Sequence, residues 1–327
     1  MFYHDAVYGK YEINEPVLID LLNSVAVTRL QGVLQHGISG LIGVTAPTTR
    51  YDHSVGAMLL VRRLGGTLTE QIAALLHDIS HTAMSHVIDY VVDGHDDQSY
   101  HDEVKEVYVA DTDLPGILAR HGYAWRPFLH EADFSLLEQP SPRLCADRLD
   151  YFLRDAADLG LASAEDVARV LDALVVVDGR IAVKDTAVAR WLAHTFMQAD
   201  DASWANFWEV GLYEVTARAI RRGLDVGVIT EQDFWLTDVP FWQKLHTGQD
   251  EELQGWLRLV SKKVDFVWDD QQPTCSVSTK IRTIDPDVVQ ADGTLRPLSA
   301  IDASFAAQRA DYIARKSGKW PMRVVPF

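Results

Sequence analysis

The sequence predicts a mostly α-helical protein with one small β-hairpin and a mixed helical extension after it. Three observations predict this. Apolar residues recur at helical spacing through most of residues 16–159. Cap residues, Gly and Pro punctuate that pattern where helices must start and stop. One β-branched run flanking Asp178-Gly179 interrupts it.

Residues 16–34 carry the helical period and read as a helix. Gly37, Gly40 and Gly43 follow and read as a loop, which lacks the Gly-Lys-Ser/Thr ending of a phosphate-binding P-loop. Helices are expected over 52–64 and 67–77; Thr67 and Glu70 stand at capping-box spacing, so His77 and Asp78 fall at a helix end. Further helices are expected over 82–92, 98–110 and 141–159, the last between Ser141-Pro142 and Gly160. Residues 174–183 read as the hairpin. A helical stretch holding Trp191, Trp204, Trp208, Trp235, Trp242 and Trp256 comes next, and these aromatics are expected to pack the second half onto the first. A mixed tail contains Lys280-Ile281-Arg282-Thr283-Ile284 and a second turn at Asp292-Gly293. The division expected is a core over 1–172 and a hairpin-plus-helical region over 173–327.

Bulk properties narrow the functional classes. With 327 residues, 47% of them hydrophobic, the chain can bury a large core. No apolar run approaches the roughly 18 residues of a membrane span, and the N-terminus lacks the basic start and apolar run of a signal peptide. Cys145 and Cys275 stand far apart and suggest neither a disulfide framework nor a thiolate zinc site, so a cytoplasmic protein without membrane partners is expected. A formal charge of −17 argues against capture of a nucleic acid polymer. A small nucleotide or phosphate ester needs only a metal ion and a few basic groups, and fits. A homo-oligomer is compatible with the sequence.

Six of the twelve histidines (His53, His77, His81, His86, His95 and His101) crowd into residues 53–101. Isolated histidines often serve packing, but a dense group among acidic residues points to a metal site or acid–base chemistry. Imidazole and carboxylate together suit Mn, Fe, Co, Ni or Zn better than calcium. In Arg50-Tyr51-Asp52-His53-Ser54-Val55-Gly56 a histidine opens a helix beside small residues that permit close approach. Further on, Asp147, Asp150, Tyr151, Arg154 and Asp158 share one helix face, opposite apolar Cys145, Leu149, Phe152 and Ala156. Taken alone, that polar face reads as a solvated one laced with salt bridges.

The order His, His-Asp, distant Asp resembles the HD-domain metal-dependent phosphohydrolases. The extended pattern is similar to their deoxynucleoside triphosphate triphosphohydrolase branch: Arg29-Leu30, Gln35-His36-Gly37, Val44, Pro47 and Arg50 to Gly56; then His77-Asp78-Ile79-Ser80-His81 through Ser85-His86; then His101-Asp102-Glu103; then Asp147-Arg148-Leu149-Asp150-Tyr151 through Asp155. It departs at Ser80-His81, where the branch carries Gly-His, and around His101, where one residue is inserted or substituted. After residue 190 no counterpart of the branch's His-Arg-Arg-x-x-Tyr phosphate segment occurs.

The resemblance implies an HD-domain helical core and one divalent transition metal, with Mg a further option, on His53, His77, Asp78 and Asp147. It implies water or leaving-group duties for His81 and His101, and phosphate contact for His86. Arg50, Arg148 and Arg154 are expected to stabilise phosphoryl charge, and Tyr151 and Asp155 to meet the sugar 3′-hydroxyl. The function implied is hydrolysis of a nucleotide, most specifically of a deoxynucleoside triphosphate to nucleoside and triphosphate. The alternatives are another HD-type nucleotidase or phosphodiesterase, a two-metal form using His81 or His101 as extra ligands, and a nucleotide sensor without turnover.

Overall fold

A computed structural model of the chain describes residues 1–92, 98–278 and 280–326. Helices dominate these residues, accompanied by sheets of two, four and three strands. Three helices frame the site. The first, Arg50–Arg63, starts at a reciprocal cap in which Thr49 Oγ1 accepts the Asp52 N–H and Asp52 accepts the Thr49 N–H, both at 3.1 Å. Such a cap contributes about 1 kcal/mol. Nearly every side of this helix is buried, which marks it as the central one.

The second helix, Leu68–Leu76, begins at Thr67, whose hydroxyl accepts the Glu70 N–H at 3.2 Å. The Glu70 carboxylate does not complete the expected box. It accepts the Leu136 N–H at 2.8 Å and pins the segment preceding the third helix, Ala146–Asp158. Where the first and third helices cross, Gly56 is required: a Cβ there would stand 2.0 Å from Arg154 Nη2 and Asp150 Oδ1.

Several boundaries differ from the periodicity. The stretch 16–34 is broken at Ser24, whose hydroxyl accepts the Val27 N–H at 3.1 Å and restarts the chain as Val25–Arg29 after Pro16–Leu22. The glycine segment forms a short helix, Gly37–Leu41, rather than a loop. Helix Val87–Val91 is shorter than expected because Met84 and Ser85 both hold positive φ (66° and 46°), which no α-helix accommodates. The third framing helix starts at Ala146 rather than Ser141 because residues 141–144 serve as a loop whose carbonyls face Arg148.

Strands Leu174–Val177 and Arg180–Val183 form the expected hairpin, with Asp178 and Gly179 at positive φ. Asp287–Val289 pairs in parallel with Arg180–Val183, and Leu295–Pro297 returns beside it through the Asp292-Gly293 turn. Two sheets have no counterpart in the sequence reading: Phe2–Asp5 with Gly9–Glu12, and Trp320–Val325 between Asp265–Trp268 and Cys275–Val277. Their strands have only three to six residues, too few for an alternating pattern to stand out in the sequence.

Two hydrophobic clusters result, and each draws side chains from both sides of residue 173. Trp204 packs on Tyr151 at 4.9 Å, and Trp235 stacks on Tyr108 at 4.2 Å, so these two join the halves. Trp208, Trp242 and Trp256 pack within the second cluster. Among the described residues no helix is long and apolar enough to cross a membrane.

Candidate metal centre and cleft

His77 caps the end of Leu68–Leu76, and its Nδ1 donates to the Ala74 carbonyl at 2.7 Å, which leaves the Nε2 lone pair facing inward. His53, on the central helix, donates from Nδ1 to Asp150 Oδ2 at 2.7 Å and likewise turns Nε2 inward. The two Nε2 atoms lie 3.1 Å apart. Asp147 Oδ1 stands 3.0 Å from His53 Nε2 and 3.5 Å from His77 Nε2. Asp78 offers Oδ2 to His53 and Oδ1 to His77, each at 3.6 Å. Ligands about 2.1 Å from one ion sit roughly 3.0–3.4 Å from each other in octahedral or tetrahedral geometry. His53, His77 and Asp147 therefore present donors close to the spacing that a divalent transition ion takes, with Asp78 somewhat wider, and Asp78, His81 and His101 form a second group of adjacent donors.

Charge runs the same way. Burial disfavours ionised imidazole, yet the carboxylates outweigh it: Asp78 and Asp147 raise His77 to about 10, and hydrogen bonds with Asp147 and Asp150 raise His53. Burial also disfavours the carboxylates, but Arg50 and His77 hold Asp78 well below the usual range, and His53 and His77 do so for Asp147. A field that binds protons this firmly in place favours a dication equally.

Beside this centre stand three more imidazoles. His81 and His101 stack at 3.9 Å, and His86 meets them edge-on at 5.1 and 5.7 Å. Burial, together with Arg50 and His101, drives His81 well below its ordinary value; burial brings His101 to about 4 and lowers His86. All three are neutral near pH 7. His81 Nε2 lies 3.3 Å from Asp78 Oδ1, and His86 Nδ1 is held by Asp89 Oδ2 at 2.9 Å. His101 Nδ1 has no partner among the described residues. His95 lies outside the described residues.

The expected substrate groups divide. Arg50 lines the cleft, its Nη1 on Asp78 at 2.7 Å and its Nε on Ser85 Oγ at 3.1 Å. Arg148 also lines it but donates to the Arg143 carbonyl at 2.6 Å and to Glu138 Oε1 at 3.3 Å. Arg154 does not reach the cleft. Its guanidinium is buried between Asp150 (2.9 Å) and Asp5 (2.7 Å), so the face expected to be solvated is instead an ion-paired support behind His53. Tyr151 and Asp155 line the cleft; Asp155 accepts from Trp204 Nε1 at 2.6 Å and pairs with His36 Nε2 at 2.9 Å.

The cleft holds about 350 Å³. Residues without a role in the sequence reading complete its walls: Glu131 and Glu138 from the first half, and Glu209, Tyr213, Lys280 and Arg282 from the second. No local pattern marks them, because they converge only through tertiary packing. Asp150 was detectable as a neighbour of Asp147 on one helix face, though not as the partner of His53.

The HD-domain family profile matches residues 50–155. The chain is 40% identical over 322 residues to the metal-dependent phosphohydrolase cns2 of Cordyceps militaris, covering 96% of this chain and 92% of that one. It is 35% identical to the Bacillus subtilis protein YdhJ, with 96% of each covered. A more distant likeness, 22% over 52% of this chain and 35% of the other, joins it to the deoxynucleoside triphosphate triphosphohydrolase SAMHD1 of Danio rerio. Among solved structures, a phosphohydrolase from Bacteroides thetaiotaomicron superposes with a TM-score of 0.67 at 20% identity, covering 92% of this chain and 94% of that one. These likenesses, extending over nearly the whole chain and matching its histidine- and aspartate-bearing helices, identify it as a member of the HD-domain metal-dependent phosphohydrolases.

Proposed function

We propose that the chain hydrolyses a nucleotide at phosphorus and releases the free nucleoside, with His53, His77, Asp78 and Asp147 as metal ligands. A divalent transition ion held there supplies Lewis acidity toward a phosphoryl oxygen and acidifies water. His81 and His101, neutral near pH 7, are suited to orient water and to pass a proton to the departing sugar oxygen. His86, whose Nδ1 is held by Asp89, would donate to a phosphate oxygen from Nε2 in its imidazolium form, which a bound phosphate anion favours. Arg50 holds Asp78 and adds positive charge beside the phosphoryl group.

The phosphate chain we favour is short, and charge carries that reading. Among the described residues, seven carboxylates line the cleft (Asp78, Asp102, Glu131, Glu138, Asp147, Asp155 and Glu209) against four cations (Arg50, Arg148, Lys280 and Arg282). A dication leaves the cleft near neutrality, which suits a monophosphate dianion better than a triphosphate. Asp155 lies eight residues beyond Asp147, about 12 Å along the helix, a span that suits a nucleoside. Asp155, Glu209 and Trp204 would then meet hydroxyls and the base.

Hydrolysis of a deoxynucleoside triphosphate to nucleoside and intact triphosphate is the second reading. The row Arg148, Tyr151 and Asp155 along one cleft wall favours it, as do the names of the SAMHD1 relatives. Incubating metal-loaded protein with nucleoside mono-, di- and triphosphates and separating the products decides between them. Orthophosphate and nucleoside from monophosphates is the result expected. Intact triphosphate would establish the second reading, and nucleoside diphosphate with orthophosphate would sink both.

A further inference from the structure

Cations able to grip a phosphate are scarce in this cleft, and most are already engaged. Arg154 is buried between two carboxylates, Arg50 is paired with Asp78, and Arg148 with Glu138 and backbone carbonyls. Arg282 differs, and it belongs to residues 280–283. They form an irregular strap that lines the cleft and is tied down along its length. The Arg282 N–H donates to Asp200 Oδ2 at 3.2 Å, Arg309 Nε donates to Thr283 Oγ1 at 3.0 Å, and the Asp285 N–H donates to the Pro142 carbonyl at 2.8 Å. Asp200 is itself fixed by the Tyr312 hydroxyl at 2.9 Å.

The guanidinium of Arg282 donates only to neutral oxygens, the Gln98 amide and the Lys280 carbonyl; among the described residues no carboxylate is paired with it. It lines the same cleft as His86 and Tyr151. Lys280 sits within the electrostatic reach of Asp147, Arg148 and Glu138, beside the metal-facing carboxylates. An arginine held by neutral acceptors over an anionic ligand's path keeps its charge available, and its planar fork matches two phosphate oxygens.

We infer that the strap is a phosphate clamp: Lys280 and Arg282, supplied by the second half of the chain, bind the substrate's phosphate oxygens opposite the ligand cluster. This rests on the phosphohydrolase reading and adds where its phosphate affinity comes from. It also assigns a role to the basic tail segment, which lies more than 120 residues beyond the histidine and aspartate cluster.

The test is binding of inorganic phosphate to metal-loaded protein by calorimetry, for the unaltered chain and for Arg282→Gln, Arg282→Lys and Lys280→Gln, with metal content and circular dichroism measured alongside. Loss of one charge-assisted contact corresponds to roughly a tenfold weaker Kd. Arg282→Gln should show that loss at unchanged metal content, Arg282→Lys should recover part of it, and the salt dependence of binding should shrink in both glutamine variants. Phosphate binding within twofold of the unaltered chain in both glutamine variants would overturn the clamp, as would no phosphate binding by the unaltered protein. Turnover retained in either case would leave the phosphohydrolase reading standing.

Discussion

The inner end of the cleft and its outer wall are built by different means. At the inner end each inward-facing imidazole or carboxylate is held by a second group that is itself held: His53 by Asp150, Asp150 by Arg154, Arg154 by Asp5. Asp150 and Arg154 sit on one helix and Asp5 ends the strand Phe2–Asp5, all three buried, so the donor atoms cannot drift far without opening the core. The outer wall is made of loops and helix ends from the second half, Ser203 to Tyr213 and Lys280 to Thr283, the latter tied by the Arg282 N–H to Asp200 and by Arg309 Nε to Thr283 Oγ1. We propose that the inner end carries the chemistry and the outer wall the choice of substrate. Changes at the inner end should abolish turnover; changes at the outer wall should redistribute it among substrates.

The largest effect is expected from Asp78→Ala or His77→Ala. Either should cost at least about a thousandfold in turnover, by losing the ion that acidifies water, while most helical content survives. Full metal occupancy in Asp78→Ala, read by elemental analysis, would remove Asp78 from the ligand set.

Asp150→Asn probes the support behind the ligands. It preserves shape but weakens the acceptor of the His53 Nδ1 proton, and metal affinity should fall by about 10–100-fold. Affinity unchanged in a chelator competition would mean that His53 is positioned by packing alone.

Gly56→Ala tests the helix crossing without altering any polar group. Its methyl would meet Asp150 and Arg154 at 2.0 Å, so denaturant unfolding should reveal a loss of about 1–3 kcal/mol. A neutral result would show that this part of the inner end is not tightly packed.

At the outer wall, Asp200 gives the most pH-dependent effect. Burial raises its carboxyl to about 6, from an ordinary value of 3.8, against the pull of Arg282 and Tyr312. Because the folded value is the higher one, the folded state holds the proton more tightly. Stability from this group is full below about pH 4 and declines as pH rises to about 6. Asp200→Asn lacks that titration, so its stability relative to the unaltered chain should improve over that window by at most about 3 kcal/mol. Parallel stability curves from pH 4 to 7 would refute it.

How much of this was legible in the sequence follows the same division. The helices bearing His53, His77 and Asp147 were legible because their apolar period and caps are local properties. The hairpin at Asp178-Gly179 was legible because that dipeptide accepts two positive φ angles. Helix geometry shows which residues share a face, not whether that face meets solvent or another element, so it does not reveal that Arg154 pairs with Asp150 and Asp5. The break at Ser24 was missed because a serine cap and a serine inside a helix look alike without the Val27 N–H that it accepts. Lys280 and Arg282 were visible as a basic segment without a role. Their place over the cleft depends on Asp200, Arg309 and Pro142, positions that no local pattern links to residue 282.

The most direct test of the central claim, that the inner end attacks phosphorus with water, is hydrolysis of a nucleoside monophosphate by the metal-loaded protein in ¹⁸O-labelled water. The account predicts one labelled oxygen in the released orthophosphate, none in the nucleoside hydroxyl, and no reaction once the metal is removed by chelation. Label in the nucleoside, or undiminished hydrolysis by metal-free protein, would contradict it.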